Sequence, residues 1–388
     1  MVLFMRDLSQ CREAIDSIDA NILKLFKERM EVANDIAHYK LMHNQGITDA
    51  SREMAKLKAL RSQAKELGLP TDYISDVYRQ IMDHTCASER QYILTMLNNL
   101  DIERDTSVAY LGTVGSYSYV AAHKYLNNYR GKVEAVGCAS FQDIVNAVEI
   151  GRCMYGVLPI ENSSSGSINE VLDVLQNTSA VFVGELYVNI DHAVLGTENV
   201  DIHEITDIYS HPQPFSQCSA YIKDNLAHAK VHYCKATSEA MEMVSKLHDP
   251  HHAAIGSHQA ASCYNLVPIV DNIANNIHNY TRFVIIGMTP ITIPENLAAK
   301  TSISFSVQKY VPGSLIAVLN EFSKANLNLT KLISRPRLIT GRDTWEEIFF
   351  ADVEGNLASE TMQEILEKIR AYTSSIKVLG CYINAEKK

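Results

Sequence analysis

An apolar stripe with a helical repeat occupies the first forty residues of the chain. Apolar side chains recur there every three or four positions, which places them along one face of an α-helix. The stripe consists of Leu8, Cys11, Ile15, Ile18, Ile22, Leu25, Val32 and Ile36. An uninterrupted helix reaching Lys40 would be roughly 50 Å long. One small domain cannot cover so long a face, so the stripe predicts an intertwined helical dimer.

Two shorter helices are predicted after the first one. Helical periodicity resumes over about 50–67 and again over about 72–98, and Gly68 and Pro70 form the stop between them. The segment 1–100 is therefore predicted to be an all-α domain.

Charged and polar residues interrupt the stripes of the two long helices. Arg29 and Lys40 continue the first stripe, and Thr85 and Glu89 lie on the stripe of the third helix. A buried cation requires an anionic partner, and an internal salt bridge is the simplest explanation for any one of these residues. Together with Arg12, at the edge of the first stripe, they predict an anion-binding pocket between helices.

The spacing of apolar residues along the sequence changes after the helical segment. From about 106 to 288, short β-rich runs alternate with helical ones, which predicts an α/β domain with largely parallel strands. The run 181–195 is long enough to cross between two lobes. A linker with two prolines covers 289–300. The order βαββαβ over 299–388 is the ferredoxin-like arrangement.

Composition disfavours several classes of protein. A formal net charge of −10 argues against nucleic-acid binding, which needs a basic face. No apolar run approaches the roughly 18 residues of a membrane span, and the N-terminus lacks the apolar region of a signal peptide, so we expect a cytoplasmic protein. None of the eight cysteines forms a CxxC pair, so we expect reduced thiols, no metal site and no cofactor.

The basic residues of the helical segment have the spacing of a known family. With Asp49-Ala-Ser-Arg52-Glu53, they make the first 95 residues or so resemble the AroQ-type chorismate mutase domain. The resemblance implies an intertwined dimer in which Arg12 comes from the partner chain. It predicts these substrate-binding residues: Arg12, Arg29, Lys40, Asp49, Arg52, Glu53, Thr85 and Glu89.

The same resemblance implies a role for each group. Arg12 and Arg29 would hold the two carboxylates of chorismate, and Lys40 would contact a carboxylate and the ether oxygen. Glu53, with Asp49, would receive the ring hydroxyl, although this segment by itself could be a capping box that opens the second helix. The rearrangement to prephenate is pericyclic, so it needs positioning and charge stabilisation rather than a nucleophile or base.

Glu89 departs from the family pattern. Many relatives carry Gln there, which donates a hydrogen bond to the ether oxygen, whereas an ionised Glu cannot donate. We therefore expect Glu89 to be catalytic in its protonated form, and we expect mutase activity to fall as the pH rises.

Five motifs of the middle segment lie mostly where strands end, which is where ligands bind in open α/β sheets. They are GTVGSYSYVAAHKY (112–125), IENSSSGSINE (160–170), YSHPQPFSQC (209–218), KATSEA (235–240) and NYTRF (279–283). A glycine turn or a run of serines can also be purely structural. If NYTRF is a strand, Thr281 and Phe283 share one face and Arg282 lies on the other.

These motifs occur in the order found in prephenate dehydratase, which the chain resembles over roughly 106–288. The resemblance implies two α/β lobes with the active site in the cleft between them, and it makes Thr281 the residue most closely tied to catalysis. The other matched positions are predicted to line the cleft: Ser116, Glu161, Asn162, Ser163, Thr237, Ser238 and Phe283.

Dehydration expels hydroxide and carbon dioxide from a cyclohexadiene ring, and aromatisation drives the reaction. A threonine hydroxyl is a weak acid, so we expect Thr281 to hydrogen-bond the leaving hydroxyl rather than to protonate it. Either Glu161 or His211 could supply the proton, and the sequence leaves both open.

The last segment resembles an ACT domain, a module that commonly binds amino acids at a dimer interface. Ile333 replaces the glutamate that the family's phenylalanine site would have, which weakens the prediction of normal feedback, and a plain dimerisation module is the alternative. Inhibition by L-phenylalanine would require that it bind two states of the protein unequally. The predicted regulatory positions are Gly313, Ser314, Leu315, Ile316, Ser334, Arg335 and Pro336.

The sequence thus predicts a bifunctional enzyme that converts chorismate to prephenate and prephenate to phenylpyruvate under control by L-phenylalanine, as a homodimer or higher oligomer. A non-catalytic aromatic-acid sensor fused to a mutase is the alternative. A fusion to prephenate dehydrogenase is disfavoured, because the chain lacks the GxGxxG fingerprint of a nicotinamide site.

Overall fold

The computed structural model describes residues 7–43, 50–98, 103–127, 129–276, 279–308, 311–338 and 345–385. The chain divides into two compact units, Met1–Asp101 and Ile102–Lys388. We call them the helical unit and the C-terminal unit.

The helical unit contains α1 (Leu8–Met42), α2 (Ala50–Glu66) and α3 (Thr71–Leu97), as predicted. Asp7 begins α1 with a capping box: its carboxylate accepts the Gln10 N–H at 2.8 Å, and the Gln10 side chain accepts the Asp7 N–H at 3.2 Å. Gly68, after the end of α2, adopts the left-handed conformation that glycine tolerates, and Pro70 precedes α3. Turn chemistry therefore sets the boundary between α2 and α3.

The apolar stripe of α1 is largely uncovered within one chain. Ile15, Ile18 and Leu25 are 57%, 57% and 62% exposed. The buried side chains of α1 are Ala33 and Ala37, in its C-terminal half. The free energy available from burying the stripe is therefore not realised inside a single helical unit.

The C-terminal unit begins with an α/β domain. Its strands are β1 (Thr106–Leu111), β2 (Val133–Cys138), β3 (Tyr155–Asn162), β4 (Gly166–Ser167), β5 (Val181–Asn189), β6 (His192–Gly196), β7 (Asp207–Ser210), β8 (Lys230–Tyr233), β9 (His252–Ser257), β10 (Val267–Val270) and β11 (Tyr280–Gly287). Its helices are α4 (Tyr117–Tyr125), α5 (Phe141–Glu149), α6 (Asn169–Leu175), α7 (Pro212–Gln217), α8 (Ser219–Asn225) and α9 (Thr237–Leu247), and 3-10 helices cover Ile202–Glu204 and His258–Tyr264.

These strands form two sheets, one for each lobe. The first has the order β2-β1-β3-β11-β5, with β4 on β3, and the second has the order β10-β6-β9-β7-β8. The chain crosses between them after β5, as the long run 181–195 predicted. The expectation of largely parallel strands holds only around β1 and β7. The strand β11 pairs antiparallel with β3 and β5, because it returns from the second lobe without a crossover helix.

The predicted βαββαβ arrangement forms the rest of the unit, which we call the ferredoxin-like domain. Its sheet is antiparallel, with the order β13-β14-β12-β15. The elements are β12 (Ala299–Val307), α10 (Ser314–Lys324), β13 (Asn328–Leu338), β14 (Trp345–Glu354), α11 (Glu360–Ile369) and β15 (Thr373–Ile383).

The ferredoxin-like domain packs directly on the first lobe. At Gly380 of β15, an added Cβ would lie 2.2 Å from the carbonyl oxygen of Phe182 in β5, so this approach requires glycine. Phe350 and Tyr382 belong to the same core cluster as Ile144 and Val284 of the α/β domain. The two domains therefore share one core. Among the helices that the structure describes, none is both long and apolar enough to cross a membrane.

Candidate functional site

The predicted mutase residues of α1 and α3 meet in pairs. Nζ of Lys40 donates to Oε2 of Glu89 at 2.7 Å, so this cation has a carboxyl partner on the stripe of α3. Nη1 of Arg29 donates to the hydroxyl of Thr85, a neutral partner. Thr85 and Glu89 are one helical turn apart, so the two cations of α1 contact one face of α3.

The second helix brings one further predicted residue to this place. Oε1 of Glu53 lies 3.8 Å from Sγ of Cys86, the neighbour of Thr85 on α3. Arg52, next to Glu53, is exposed. Asp49 falls outside the described residues. The described part of the helical unit thus gathers Arg29, Lys40, Glu53, Thr85 and Glu89 between its three helices.

Arg12 does not reach this cluster in the same chain. It is exposed on α1 and has no ion pair or hydrogen bond among the described residues. At a helical rise of 1.5 Å per residue, it lies about 26 Å from Arg29 along the helix axis. An arginine side chain spans only a fraction of that distance.

A cavity of about 410 Å³ opens between α1 and α3. It meets the cluster at Arg29 and Thr85, and most of the remaining lining is apolar. The lining residues are Phe26, Arg29, Met30, Val77, Gln80, Ile81, His84 and Thr85.

In the α/β domain, Asn162 organises the residues around Thr281. The two residues are paired across β3 and β11. The amide nitrogen of Asn162 donates to Oγ1 of Thr281 at 2.9 Å and to Oδ1 of Asn279 at 2.8 Å. Its amide oxygen accepts from the backbone N–H groups of Ser164 and Ser165 at 2.9 and 3.0 Å. The serines after Asn162 therefore fix its side chain, and Asn162 fixes the hydroxyl of Thr281.

Four other predicted positions lie at the ends of strands or the starts of helices. Oγ of Ser163 accepts from the Tyr280 N–H at 2.9 Å, which ties the end of β3 to β11. Ser116 caps α4, accepting from the Tyr119 N–H at 3.2 Å. Ser238, buried at the start of α9, accepts from Oγ1 of Thr113 at 2.8 Å, a bond that joins the two lobes. Thr237 opens the same helix.

Two of the predicted cleft residues lie elsewhere. Glu161 precedes Asn162 on β3 and therefore faces the other side of the sheet, where its Oε2 accepts from Nζ of Lys331 in β13 at 3.1 Å. Phe283 is 1% exposed and packs in the core beneath α4. The motif match predicted that both residues line the cleft, but Glu161 contacts the ferredoxin-like domain and Phe283 packs in the core on the same face as Thr281.

A buried polar chain at the crossing between the lobes escaped the sequence analysis. Nε2 of His192 lies 2.8 Å from Oε1 of Gln217, and its Nδ1 lies 3.1 Å from the hydroxyl of Tyr117. Burial lowers the pKa of His192, and burial followed by the charge of Asp191 raises the pKa of Tyr117 well above its ordinary value. The available signal was the dipeptide Asp191-His192, two ionisable residues that follow directly on the β-rich stretch 181–190.

His211 retains one free ring nitrogen. It caps α7, where its Nδ1 accepts from the Gln213 N–H at 3.2 Å. Its Nε2 has no partner in the part of the chain that the structure describes, so that nitrogen can carry a proton. Across the described ranges, no three His, Cys, Asp or Glu side chains are grouped to hold a metal ion.

The predicted regulatory positions divide between two places. Gly313 adopts a left-handed conformation before α10, Ser314 donates to the Val311 carbonyl at 2.8 Å, Leu315 packs on the domain core, and Ile316 is exposed. On β13, Ser334 and Pro336 are exposed.

The alternate residues of β13 face the α/β domain. Arg335 binds the Asp173 carboxylate of α6 through two hydrogen bonds of 2.9 and 2.6 Å. Ile333 packs against the core that both domains share. In this structure Arg335 is thus engaged between domains, and Ile333 occupies a position where an apolar residue packs well.

Comparisons with known proteins agree with both halves of the chain. The family model of chorismate mutase type II matches residues 11–90, and that of prephenate dehydratase matches residues 108–290. The bifunctional chorismate mutase/prephenate dehydratase of Enterobacter agglomerans is 38% identical over 371 residues, which are 96% of this chain and 94% of that protein.

Two solved structures share the fold of nearly three quarters of the chain. GqqA, described as a novel type of quorum-quenching acylase, is 25% identical with a TM-score of 0.63, over 71% of this chain and 97% of that one. A prephenate dehydratase from Arthrobacter aurescens, in complex with L-Phe, is 22% identical with a TM-score of 0.64, over 73% of this chain and 91% of that one.

Proposed function

Because this chain belongs to the bifunctional chorismate mutase/prephenate dehydratase family, we propose which of its residues carry the two reactions. The chain isomerises chorismate to prephenate and converts prephenate to phenylpyruvate, in L-phenylalanine biosynthesis. The 38% identity to a bifunctional relative over 96% of the chain carries this conclusion. The alternative of a non-catalytic sensor is not favoured, since a dehydratase model matches residues 108–290.

In the mutase reaction, Lys40 and Glu89 act on the ether oxygen whose bond to carbon breaks. No atom leaves and no proton is transferred, so the site has to hold the folded substrate and stabilise the charge that grows on that oxygen. The 2.7 Å contact between Lys40 and Glu89 supports a common target. Oε1 of Glu89 has no partner among the described residues, and it is the oxygen that would donate when protonated. Arg29 holds one substrate carboxylate.

The second carboxylate is held by the partner chain's Arg12 in a homodimer. Two observations support this assignment. Arg12 lies about 26 Å from Arg29 along α1, too far to share a small substrate within one chain. The stripe that would cover the partner helix is more than half exposed at Ile15, Ile18 and Leu25.

In the dehydratase reaction, Thr281 donates a hydrogen bond to the hydroxyl that leaves. The electron pair of the breaking carbon–carboxylate bond enters the ring, carbon dioxide departs, and the hydroxyl leaves as water after it gains a proton. Oγ1 of Thr281 accepts from Asn162 at 2.9 Å, and its own hydrogen has no acceptor among the described residues, which supports a donor role toward substrate. His211 is the better proton source, because Lys331 engages Glu161 on the opposite face.

We assign feedback control to the ferredoxin-like domain, acting as an ACT domain that binds L-phenylalanine. The related dehydratase from Arthrobacter aurescens was solved with L-Phe. The turn before α10 and the exposed residues Ser334 and Pro336 are the positions available to a ligand on this domain. We also place the protein in the cytoplasm, a proposal that the eight free cysteines support.

The first experiment gives the purified protein chorismate at pH 5.5 and pH 8 without NAD, and measures prephenate and phenylpyruvate. The wild type should form phenylpyruvate. Thr281→Ala should accumulate prephenate, with a dehydratase kcat about 100-fold lower, because a donor to the leaving hydroxyl is lost. Thr281→Ser is the matched control and should retain most of the rate. Phenylpyruvate formation at the wild-type rate by Thr281→Ala would contradict the assignment.

A further inference from the structure

Arg282 lies between two residues of the dehydratase motif but faces the ferredoxin-like domain. It is 4% exposed, and its guanidinium donates hydrogen bonds to three partners and lies 3.9 Å from Oε2 of Glu161. Nε donates to Oε2 of Glu185 in β5 at 2.7 Å. Nη1 donates to Oδ2 of Asp352 in β14 at 2.6 Å, and Nη2 donates to the hydroxyl of Tyr382 in β15 at 3.0 Å. Two of these three anchors thus belong to the other domain.

The surrounding charges are balanced by ion pairs across the same interface. Lys300 of β12 donates to Oε1 of Glu185 at 2.7 Å, and Lys331 of β13 donates to Glu161 at 3.1 Å. Three cations therefore face three carboxylates: Arg282, Lys300 and Lys331, against Glu161, Glu185 and Asp352. Burial alone would raise the pKa of Asp352, but Arg282 and a hydrogen bond from Ser302 lower it below its ordinary value. Removing one member would leave an unpaired buried charge.

The ladder between β11 and β3 is irregular next to Thr281, where β3 contains one extra residue, Ile160. Thr281 pairs with Asn162 and Arg282 with Glu161, but Phe283 pairs with Pro159, so the register of β11 on β3 shifts between Arg282 and Phe283. Irregularities of this kind re-aim side chains and are frequent beside active sites. On its other side β11 pairs with β5 in unbroken register from Tyr280 to Ile285. The direction of Thr281 therefore depends on this ladder, on the hydrogen bond from Asn162 and on the anchors of its neighbour Arg282.

We propose that Arg282 is a positioning residue for prephenate dehydration, and that Asp352 and Tyr382 of the ferredoxin-like domain hold it so that β11 keeps Thr281 directed at the substrate. The ferredoxin-like domain is then part of the dehydratase site as well as its regulator. A ligand that moves β14 or β15 acts on Thr281 through one intervening residue. This inference rests on the role proposed for Thr281.

The test compares single and double variants of the full chain. Arg282→Met should lower the dehydratase kcat about 100-fold, since a misplacement of about 1 Å at a reacting group has this effect. Tyr382→Phe, which removes one hydroxyl, should lower kcat about tenfold and leave KM for prephenate within about twofold. The mutase activity of each variant is an internal control, because it resides in the other unit. Asp173→Asn, which removes a different ion pair between the same domains, should leave the dehydratase unchanged.

The double variant Arg282→Met/Asp352→Asn separates positioning from stability. Losing Arg282 alone leaves Asp352 unpaired, whereas losing both leaves Glu185 with Lys300 and Glu161 with Lys331. The double variant should therefore regain much of the thermal stability that Arg282→Met loses, while its dehydratase kcat stays low. Recovery of both stability and kcat would reduce the network to a structural role and overturn the inference.

Failure of the inference differs from failure of the proposed function. If Thr281→Ala abolishes dehydration while Tyr382→Phe and the double variant retain wild-type kcat, Thr281 keeps its role and Arg282 loses the one proposed here. If Thr281→Ala is fully active, the assignment of the reacting residue fails first.

Discussion

The two units of this protein differ in how completely a single chain buries their charged and apolar side chains. In the C-terminal unit, the side chains of Arg282 and Lys300 are each 5% exposed and fully paired, within a core that two domains share. In the helical unit, Lys40 retains 18% side-chain exposure beside Glu89, and the apolar stripe of α1 is mostly uncovered. The C-terminal unit pairs these buried charges within one chain, whereas the helical unit exposes an apolar face that a second chain would cover in the proposed dimer.

Complementation between two inactive mutase variants is the strongest test of whether the helical unit needs a second chain. Arg12→Ala and Lys40→Ala should each lower mutase kcat/KM about 100-fold or more, because each removes a cation that contacts the substrate. If Arg12 acts in the partner's site, a heterodimer of the two variants has one site with both cations. Co-expression of the two chains should then restore about a quarter of the wild-type activity, since half of the dimers carry one intact site.

The dehydratase activity of the same samples is the internal control and should stay at the wild-type level. Co-expressed chains that remain as inactive as either variant alone would place Arg12 and Lys40 in one chain, and would contradict the dimeric site.

The sequence predicted the helical unit better than the docking of the C-terminal domains. A repeat of three and four residues predicted α1 and its stripe, and the cations that interrupt this stripe contact polar residues of α3 in the structure. Both signals are local in the sequence. Alternation along β11 likewise put Arg282 opposite Thr281. It could not reveal that the ferredoxin-like domain covers that face. Contacts between domains are not visible in the sequence, so the motif matches at Glu161 and Arg335 could not reveal that these residues pair with residues far away in the chain.

A smaller effect is expected at Glu89, where the protonation state of the mutase site can be tested. If Glu89 donates in its protonated form, wild-type mutase kcat/KM should fall as the pH rises from 5 to 8, by about tenfold. Glu89→Gln can donate at any pH, so its profile should be flat over the same range. Prephenate formation measures the rate.

The matched control for Glu89→Gln is Glu31→Gln, which changes an exposed glutamate of the same unit and should follow the wild type. A flat wild-type profile, or an unchanged slope in Glu89→Gln, would refute the protonated form.

The smallest expected effect concerns His192, whose burial at the crossing between the lobes lowers its pKa. The folded protein therefore holds the ring neutral, while the unfolded chain takes up a proton below a pH of about 6.5. Stability should fall as the pH decreases through this value, by at most about 1.4 kcal/mol per pH unit for one proton. The carboxyl of Asp352, with its lowered pKa, loses its contribution only in far more acidic solution.

Unfolding of the C-terminal unit can be followed separately, because the chain's single tryptophan, Trp345, begins β14. Urea titrations at pH 7.5, 6.5 and 5.5 should give a steeper loss of stability for the wild type than for His192→Gln. Burial also lowers the pKa of His123, so part of the slope should persist in the variant, and the difference between the two slopes measures His192. Equal slopes would mean that the His192 ring is protonated in the folded state, with Gln217 and Tyr117 as acceptors. The segment between the lobes would then bury a charge, as the interface around Arg282 does.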